Sequence, residues 1–506
     1  MGSGFEGLAS GRDGSRWQRT QRLRHRQERR FTRRGRATLG GVALLAGTAA
    51  GLGVAVRGDS TADPLPEVSA GAPPVRSRAG SADPGFVAPA SLLERLPAGR
   101  EALALPVTLP VDAPEAPLPG RLYEFAPVPP GAPPELTGPL RVEYSLDAEL
   151  TREVFETLAE SRVQLGHVIL LDVATGRVLA YASTDPERFG PTRVYPAASL
   201  IKVVTASAAL EADPDVAKVP CRFTGSPYRL TPSRLDPPRR GREVTLARAL
   251  ATSNNQCFAQ LAVHSVGPGA LRDALGRFGW LSQPAPAHAA GTATPSEDRY
   301  EVGKLGCGLD GCRITPLHAA QLAAVLAHGE LVAPHWIDRI VDASGRELVL
   351  PPLAAPRRVL APERAEELRE MLVETTTRGT ARRAFRLRNG RPLLGSIRVA
   401  GKTGSLSGKD PDGRYEWFAG VAPADEPRIA VAVLVVQGRI WWRNASQVAS
   451  EVLKRVFCVR GHCEFAHAAR YIPAVAPDAA GGVLPAVVGT AGARGPAGPG
   501  PRTSAP

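Results

Sequence analysis

Lysine is scarce in this chain, with six residues among 62 basic ones in a length of 506. The arginine bias reads as a matter of coding, and it makes any lysine inside an apolar run conspicuous. Aromatic residues are few as well, at 5%. No internal repeat is present. His264, His318 and His335 do not fall at metal-ligand spacing, so structural roles are assigned to them and neither a metal nor a cofactor is expected. Negative charge is short overall, and the net charge of +13 invites a nucleic-acid reading. The distribution argues against it. Residues 1–36 hold eleven arginines and three acids, which is +8 of the total. Nucleic acid is therefore not the expected partner.

The basic tail 1–36 runs into residues 37–57, ATLGGVALLAGTAAGLGVAVR, whose first twenty residues carry no charge. That length crosses a bilayer core. Arginines on its N-terminal side place the tail in the cytoplasm and everything after Arg57 outside it. A cleaved signal peptide is the rival reading, and the long basic region before the apolar stretch favours a retained anchor. The expected location is therefore the bacterial cytoplasmic membrane, crossed once, with the remainder of the chain on the periplasmic side.

Six cysteines fit an oxidising compartment. Cys307 and Cys312, and likewise Cys458 and Cys463, are separated by short glycine-containing loops that let two Cβ atoms approach within disulfide reach. Elimination leaves Cys221 with Cys257, although six cysteines allow fifteen connectivities. Free thiols are the alternative, and a zinc site would need shorter spacing within each pair.

Hydrophobic residues amount to 43%, enough for a sizeable core. Residues 58–141 are rich in Pro, Ala and Gly and read as a spacer, with one ordered patch near Arg121–Phe125. Residues 466–506 return to that composition and read as a disordered tail. The block 142–465 between them has globular patterning. SLDAELTREVFETLAESR carries apolar residues at helical spacing. His167–Leu171 and Arg177–Ala182 flank the turn Ala174-Thr175-Gly176 and read as a hairpin. Helices are expected over Ala197–Glu211, Val244–Val266, Ala270–Phe278, Pro316–Ala327, Ala361–Glu374 and Asn444–Phe457. Trp417–Val421 and Arg428–Val436 read as adjacent strands. Strands at both ends of the block around a helical middle predict an α/β fold whose sheet both ends complete.

Three short motifs carry chemistry. In Ser199-Leu200-Ile201-Lys202, Pro196 breaks what precedes, so Ser199 falls near a helix start and shares a face with Lys202. A serine hydroxyl needs a base, and a lysine serves once burial lowers its pKa. A helix N-terminus also aims N–H groups at a developing oxyanion. The bland alternative is a surface Ser and Lys, but Lys202 lies in an apolar run. Ser253-Asn254-Asn255 is a polar turn between apolar helical segments. It reads either as an ordinary cap or as a hydroxyl that relays a proton with an amide that orients Lys202 and substrate. Lys402-Thr403-Gly404, followed by Ser405, sits after β-favouring residues. Its lysine supplies positive charge and its hydroxyls can bind a carboxylate. A phosphate loop is the alternative, and its upstream glycine is absent.

Each motif occurs once, in this order, on a chain with six lysines. Together they resemble the penicillin-binding transpeptidase family and its β-lactamase-like superfamily. GHVILLDVATGRVLAYAS is similar to that family's opening hairpin, ITPLHAAQLAAVLAHG to its Thr-Pro helix, Arg378-Gly379-Thr380-Ala381 to its Gly-Thr-Ala turn, and WFAGVAP to the segment after Lys-Thr-Gly. The resemblance implies a five-stranded antiparallel sheet flanked by helices, with an all-helical subdomain. It implies that Ser199 is acylated by the D-Ala-D-Ala end of a peptidoglycan stem peptide with Lys202 as base. Ser253 and Asn255 assist proton transfer and placement, and Lys402, Thr403, Gly404 and Ser405 hold the terminal carboxylate. Backbone N–H groups of Ser199 and Ser405 form the oxyanion hole. β-Lactams, the membrane and cell-wall synthesis proteins are the implied partners. No glycosyltransferase-sized region precedes the block. A class A β-lactamase needs a Glu-x-x-x-Asn segment that is not found, and Asn255 speaks against class D. A D,D-carboxypeptidase stays open, and a non-catalytic scaffold or β-lactam sensor is the reading from another class.

Overall fold

The apolar run Ile429–Val436 is buried along its whole length, because it forms the middle strand of a sheet covered on both faces. The structure is a computed structural model and describes residues 85–107, 120–294, 296–438 and 442–472. In chain order the strands that frame the site are β1 (Arg121–Ala126), β2 (Leu140–Asp147), β3 (Leu165–Asp172), β4 (Val178–Ser183), β5 (Ile337–Val341), β6 (Ala400–Lys409), β7 (Asp412–Ala422) and β8 (Ile429–Gln437). The helices are α1 (Ala148–Glu160), α2 (Ile201–Ala212), α3 (Leu246–Ala251), α4 (Asn255–Gln260), α5 (Gly267–Arg277), α6 (Arg299–Cys307), α7 (Pro316–His328), α8 (Pro362–Thr377) and α9 (Ala445–Phe457).

The main sheet has five strands in the order β6-β7-β8-β3-β4, every neighbouring pair antiparallel. Side chains alternate across a strand, and β8 shows what each face needs. Ile429, Val431, Val433 and Val435 pack with Phe155 and Leu158 of α1 and Val448 and Val452 of α9. Ala430, Ala432 and Leu434 belong to the opposite core, with α7 and α8. The small residues on that side match the alanine-rich α7, which is buried over all but its last residue. Each fully buried valine or leucine contributes roughly 1.5–3 kcal/mol, so this two-sided burial is the main stabilisation of the sheet. The cap residues are legible in sequence. Asp147 accepts from the Leu150 N–H at 2.9 Å to start α1, and Asn444 and Gln447 form a reciprocal capping box at α9.

The expected hairpin, the helices after Asp147 and Thr315, and the Trp417 and Arg428 strands are all present at close to the expected bounds. The helix expected over Val244–Val266 is interrupted. α3 ends at Ala251, Ser253 takes a left-handed backbone with φ 56°, and α4 starts at Asn255. Within the spacer expected over 58–141 the ordered patch near Arg121–Phe125 is present, and order extends beyond it, to Ala90–Leu93, Arg100–Ala104 and the start of the strand at Leu140. Residues 121–126 and 140–147 form β1 and β2, which with β5 make a second, three-stranded sheet. Arg121 explains its order, since it is buried and donates to the carbonyls of Ser145 at 2.7 Å and Tyr471 at 3.2 Å. The same contact corrects the tail boundary, because Tyr471 and Ile472 are buried against the α1–α9 core. The basic tail 1–36, the apolar segment 37–57 and residues 473–506 lie outside the described residues. Among the described residues no helix is long and apolar enough to cross a membrane.

Two core histidines make the fold acid-sensitive. His167, fully buried and stacked on Phe189 at 4.2 Å, is pushed by burial from 6.5 to about 3. His318, which faces the Phe278 carbonyl at 2.9 Å, is pushed by burial to about 4. Both folded values lie below the unfolded one, so the unfolded chain takes up protons first as pH falls. Stability is then complete above 6.5 and is lost progressively towards about 4 and about 3. Unfolding free energies from urea titrations at pH 7, 6 and 5 should fall, by about 1.4 kcal/mol per pH unit and per histidine once below the unfolded value. A flat response across that interval would contradict the burial account.

Candidate active site

Lys202 is a lysine with no exposed surface, on the first turn of α2. The chain enters that helix through a tight turn in which Ala198 has φ 49°, a left-handed backbone that an alanine adopts only under constraint. The constraints are visible. Residues Tyr195–Pro196 pair with Cys312–Ile314, and the Trp417 indole donates to the Pro196 carbonyl at 2.8 Å. The Ala197 N–H donates to the Cys312 carbonyl at 3.1 Å. Gly308, itself at φ 75°, lies so close behind that a Cβ there would stand 2.0 Å from the Ala198 oxygen. This turn presents Ser199, half-buried, to the cleft.

The Lys202 ammonium donates to Ser199 Oγ at 2.7 Å, to Asn255 Oδ1 at 2.8 Å and to the Cys307 carbonyl at 2.6 Å. Two of these partners accept only, while the third is a hydroxyl that can also donate. A neutral amine, with two N–H groups and a lone pair, fits this set by keeping its N–H groups on the carbonyls and turning the lone pair to Ser199. Burial lowers the Lys202 pKa to about 8, so the neutral form is accessible near neutral pH.

Asn255 is held for this task by its own Nδ2, which donates to the Tyr228 carbonyl at 3.0 Å. Its neighbour Asn254 is the helix cap, accepting from the Cys257 N–H at 3.2 Å. The two readings of the polar turn are thus divided between adjacent residues. Lys402, also buried, donates to Ser253 Oγ at 3.0 Å and to the Thr403 carbonyl at 2.8 Å. Its pKa is lowered strongly by burial and further by the charge of Lys202. The three motifs therefore meet: Ser199, Lys202 and Asn255 on one chain of contacts, Ser253 and Lys402 on the next.

Gly404 brings the strand up to the nucleophile turn. A Cβ there would lie 3.3 Å from the Ala197 oxygen, the Ala198 Cβ and the Trp417 Cβ, which is why glycine stands there. Thr403 exchanges a 2.6 Å hydrogen bond with Thr380, and Ser405, exposed at the rim, accepts from Arg414 Nε at 2.6 Å. Ala198, Arg414 and the Cys307 carbonyl carried no signal of their own in the sequence. Thr380 was within reach, through the Gly-Thr-Ala turn. Among the described residues no group of three or more His, Cys, Asp or Glu side chains could hold a metal ion.

Cys221 is bridged to Cys257 and Cys458 to Cys463. The first bridge ties α4, and with it Asn255, to the strand at Cys221–Phe223. Cys307 and Cys312 correct the expectation of a third bridge, since both are free and buried. The Cys307 Sγ turns back along α6 to the Lys304 carbonyl at 3.5 Å, the direction helical side chains take. Burial raises both thiols, Cys312 to about 12.

A family described as the penicillin binding protein transpeptidase domain matches residues 166–457. The chain belongs to this family. It is 28% identical over 321 residues to peptidoglycan D,D-transpeptidase PbpA of Mycolicibacterium smegmatis, covering 54% of this chain and 62% of that one. It is 26% identical over 322 residues to peptidoglycan D,D-transpeptidase FtsI of Escherichia coli K12, covering 58% and 51%. The chain thus spans between half and two thirds of the length of these relatives. In fold it is similar to the crystal structure of PBPA from Mycobacterium tuberculosis, with TM-score 0.51 and 22% identity over 62% of this chain and 81% of that one.

Alkylation of the denatured, unreduced protein should label two cysteines, Cys307 and Cys312, by peptide mass spectrometry. Label on neither would mean a third bridge. Gly404→Val should slow acylation of Ser199 at least tenfold while leaving the urea midpoint within the range of a surface substitution, because the added methyls displace the strand from the nucleophile turn. Unchanged acylation would show that the close approach of the strand is unimportant.

Proposed function

We propose that this chain is a serine D,D-transpeptidase that cross-links peptidoglycan stem peptides through an acyl-enzyme on Ser199. The observation that carries the reading is the buried Lys202 amine 2.7 Å from Ser199 Oγ with its other hydrogens committed to two carbonyls. Membership of the transpeptidase family and the names of the relatives support it.

In this reading Lys202 takes the Ser199 proton as Oγ bonds to the carbonyl carbon of the penultimate D-Ala. N–H groups of Ser199 and Ser405 receive the oxyanion. The bond to the terminal D-Ala nitrogen breaks, and a proton reaches that amine through Ser253, whose hydroxyl lies against Lys402. The leaving carboxylate sits on Thr403 and Ser405, and its negative charge restores the protonated form of Lys402 that burial disfavours in the empty site. An acceptor amine then bonds to the acyl carbon as the Ser199 ester bond breaks, and the serine regains its proton. A β-lactam enters by the same first step and keeps its leaving nitrogen tethered. Residues 37–57 anchor the chain in the cytoplasmic membrane, with the catalytic domain on the cell-wall side beside other wall-synthesis proteins.

Fluorescent penicillin should label the wild type and not Ser199→Ala, and Lys202→Ala should lower the acylation rate by about 10²–10⁴-fold. The wild-type rate should rise about tenfold per pH unit and level off above about 8, as Lys202 loses its proton. A rate independent of pH across that range would remove Lys202 as the base. A donor ending in D-Ala-D-Ala mixed with an amine acceptor should yield a dimer, and release of D-Ala without dimer would make the enzyme a carboxypeptidase.

A further inference from the structure

Between Glu374 and Asp410 the chain has no acidic residue, and six arginines fall within residues 378–391. This stretch joins α8 to the edge strand β6, wedged between two of the motifs. The Thr380 N–H donates to the Ala251 carbonyl at the end of α3 at 3.0 Å, and the Thr380 hydroxyl touches Thr403. On one side of it lies a cavity of about 650 Å³ whose charged lining is Glu243, Arg248, Glu374, Arg378, Arg382 and Arg386. On the other lies one of about 550 Å³ that shares Arg378 and Arg382 and adds Arg383.

These cations are placed but not neutralised. Arg248 donates to the Arg378 carbonyl at 3.0 Å, and Arg386 to the Gly390 carbonyl at 2.6 Å. None of Arg248, Arg378, Arg382, Arg383 or Arg386 forms an ion pair with a described carboxylate, although salt bridges are common elsewhere on this surface. Of the two lining acids, Glu243 is already paired with Arg222 at 2.8 Å.

We propose that this arginine-lined groove binds the carboxylates of the acceptor strand, an acidic peptide. The inference rests on the function proposed above, in which the donor chain ends at its carboxylate on Thr403 and Ser405. Of the groove's two cavities, the one of about 550 Å³ is lined by Thr380 itself, one hydrogen bond past that end, and the other joins it through the shared Arg378 and Arg382. A ligand lying there is therefore a second strand, the one whose amine replaces the departed D-Ala. Guanidinium groups pair with carboxylates in two parallel hydrogen bonds, and a row of them orients the strand as well as attracting it.

The test compares an acceptor peptide carrying free carboxylates with the same peptide amidated, using the full chain acylated by a D-Ala-D-Ala donor. Wild type should show a KM at least tenfold lower for the acidic acceptor, with the preference weakening as salt rises. In Arg382→Glu/Arg386→Glu the preference should vanish or invert while the rate of acylation by penicillin stays within twofold. Should that variant fail to fold, calorimetric titration of wild-type acyl-enzyme with the two peptides reads the same preference, and Arg386→Gln gives a milder second point. Equal KM or equal affinity for the two peptides overturns the proposal. Vesicles of anionic phospholipid that bind wild type and not the variant, with no peptide preference, also overturn it and give the groove to a lipid surface. A wild type that penicillin does not acylate sinks the enzymatic reading itself, which is a separate result.

Discussion

The arrangement turns on keeping one amine dry. Water would hold Lys202 protonated near its ordinary pKa and deny the proposed reaction its base. Excluding water takes the apolar wall of α2, the carbonyl of Cys307 at the end of α6 and the side chain of Asn255 at the start of α4, so three helices must converge on one nitrogen. The disulfide between Cys221 and Cys257, the cap at Asn254 and the left-handed residues at 198 and 253 all follow from that demand. Each fixes a backbone segment that would otherwise relax away from the lysine.

A second buried amine, Lys402, stands on the neighbouring strand, and two cations in one low-dielectric site oppose each other. Burial lowers the pKa of both amines, Lys202 to about 8, which brings their neutral forms closer to neutral pH and eases this opposition. The site becomes electrostatically complete only when an anion arrives. Recognition of a carboxylate and activation of the nucleophile are in this way parts of one charge balance, shared across the cleft between β6 and the helical side.

Much of this was legible in the sequence. The conjunction of Ser199–Lys202, Ser253–Asn255 and Lys402–Gly404 located the site, because a lysine in an apolar run has few structural uses. Apolar residues at helical spacing and β-favouring runs around glycine and proline turns located the elements. What stayed hidden depended on long-range contacts. Nothing local marks Ala198 as left-handed, because its conformation is imposed by Trp417, Cys312 and Gly308 from three other segments. The ordered patch at β1 was expected, but not its cause, which is Arg121 reaching Tyr471, some 350 residues away. Cys307 and Cys312 had suitable spacing for a bridge, but spacing does not report that the first thiol is engaged with the Lys304 carbonyl one turn earlier on α6.

The glycines at 308 and 404 wall in the nucleophile turn from two sides. A larger residue at 308 would collide with the Ala198 carbonyl, and one at 404 would press on Ala197 and Ala198. A lineage under selection by an acylating drug therefore has little freedom to reshape the serine's immediate scaffold. In the proposed reaction, variation that lowers drug reactivity while sparing cross-linking falls on the solvent side of the cleft, on the rim where Ser405 and Arg414 lie and the loop that carries Thr380.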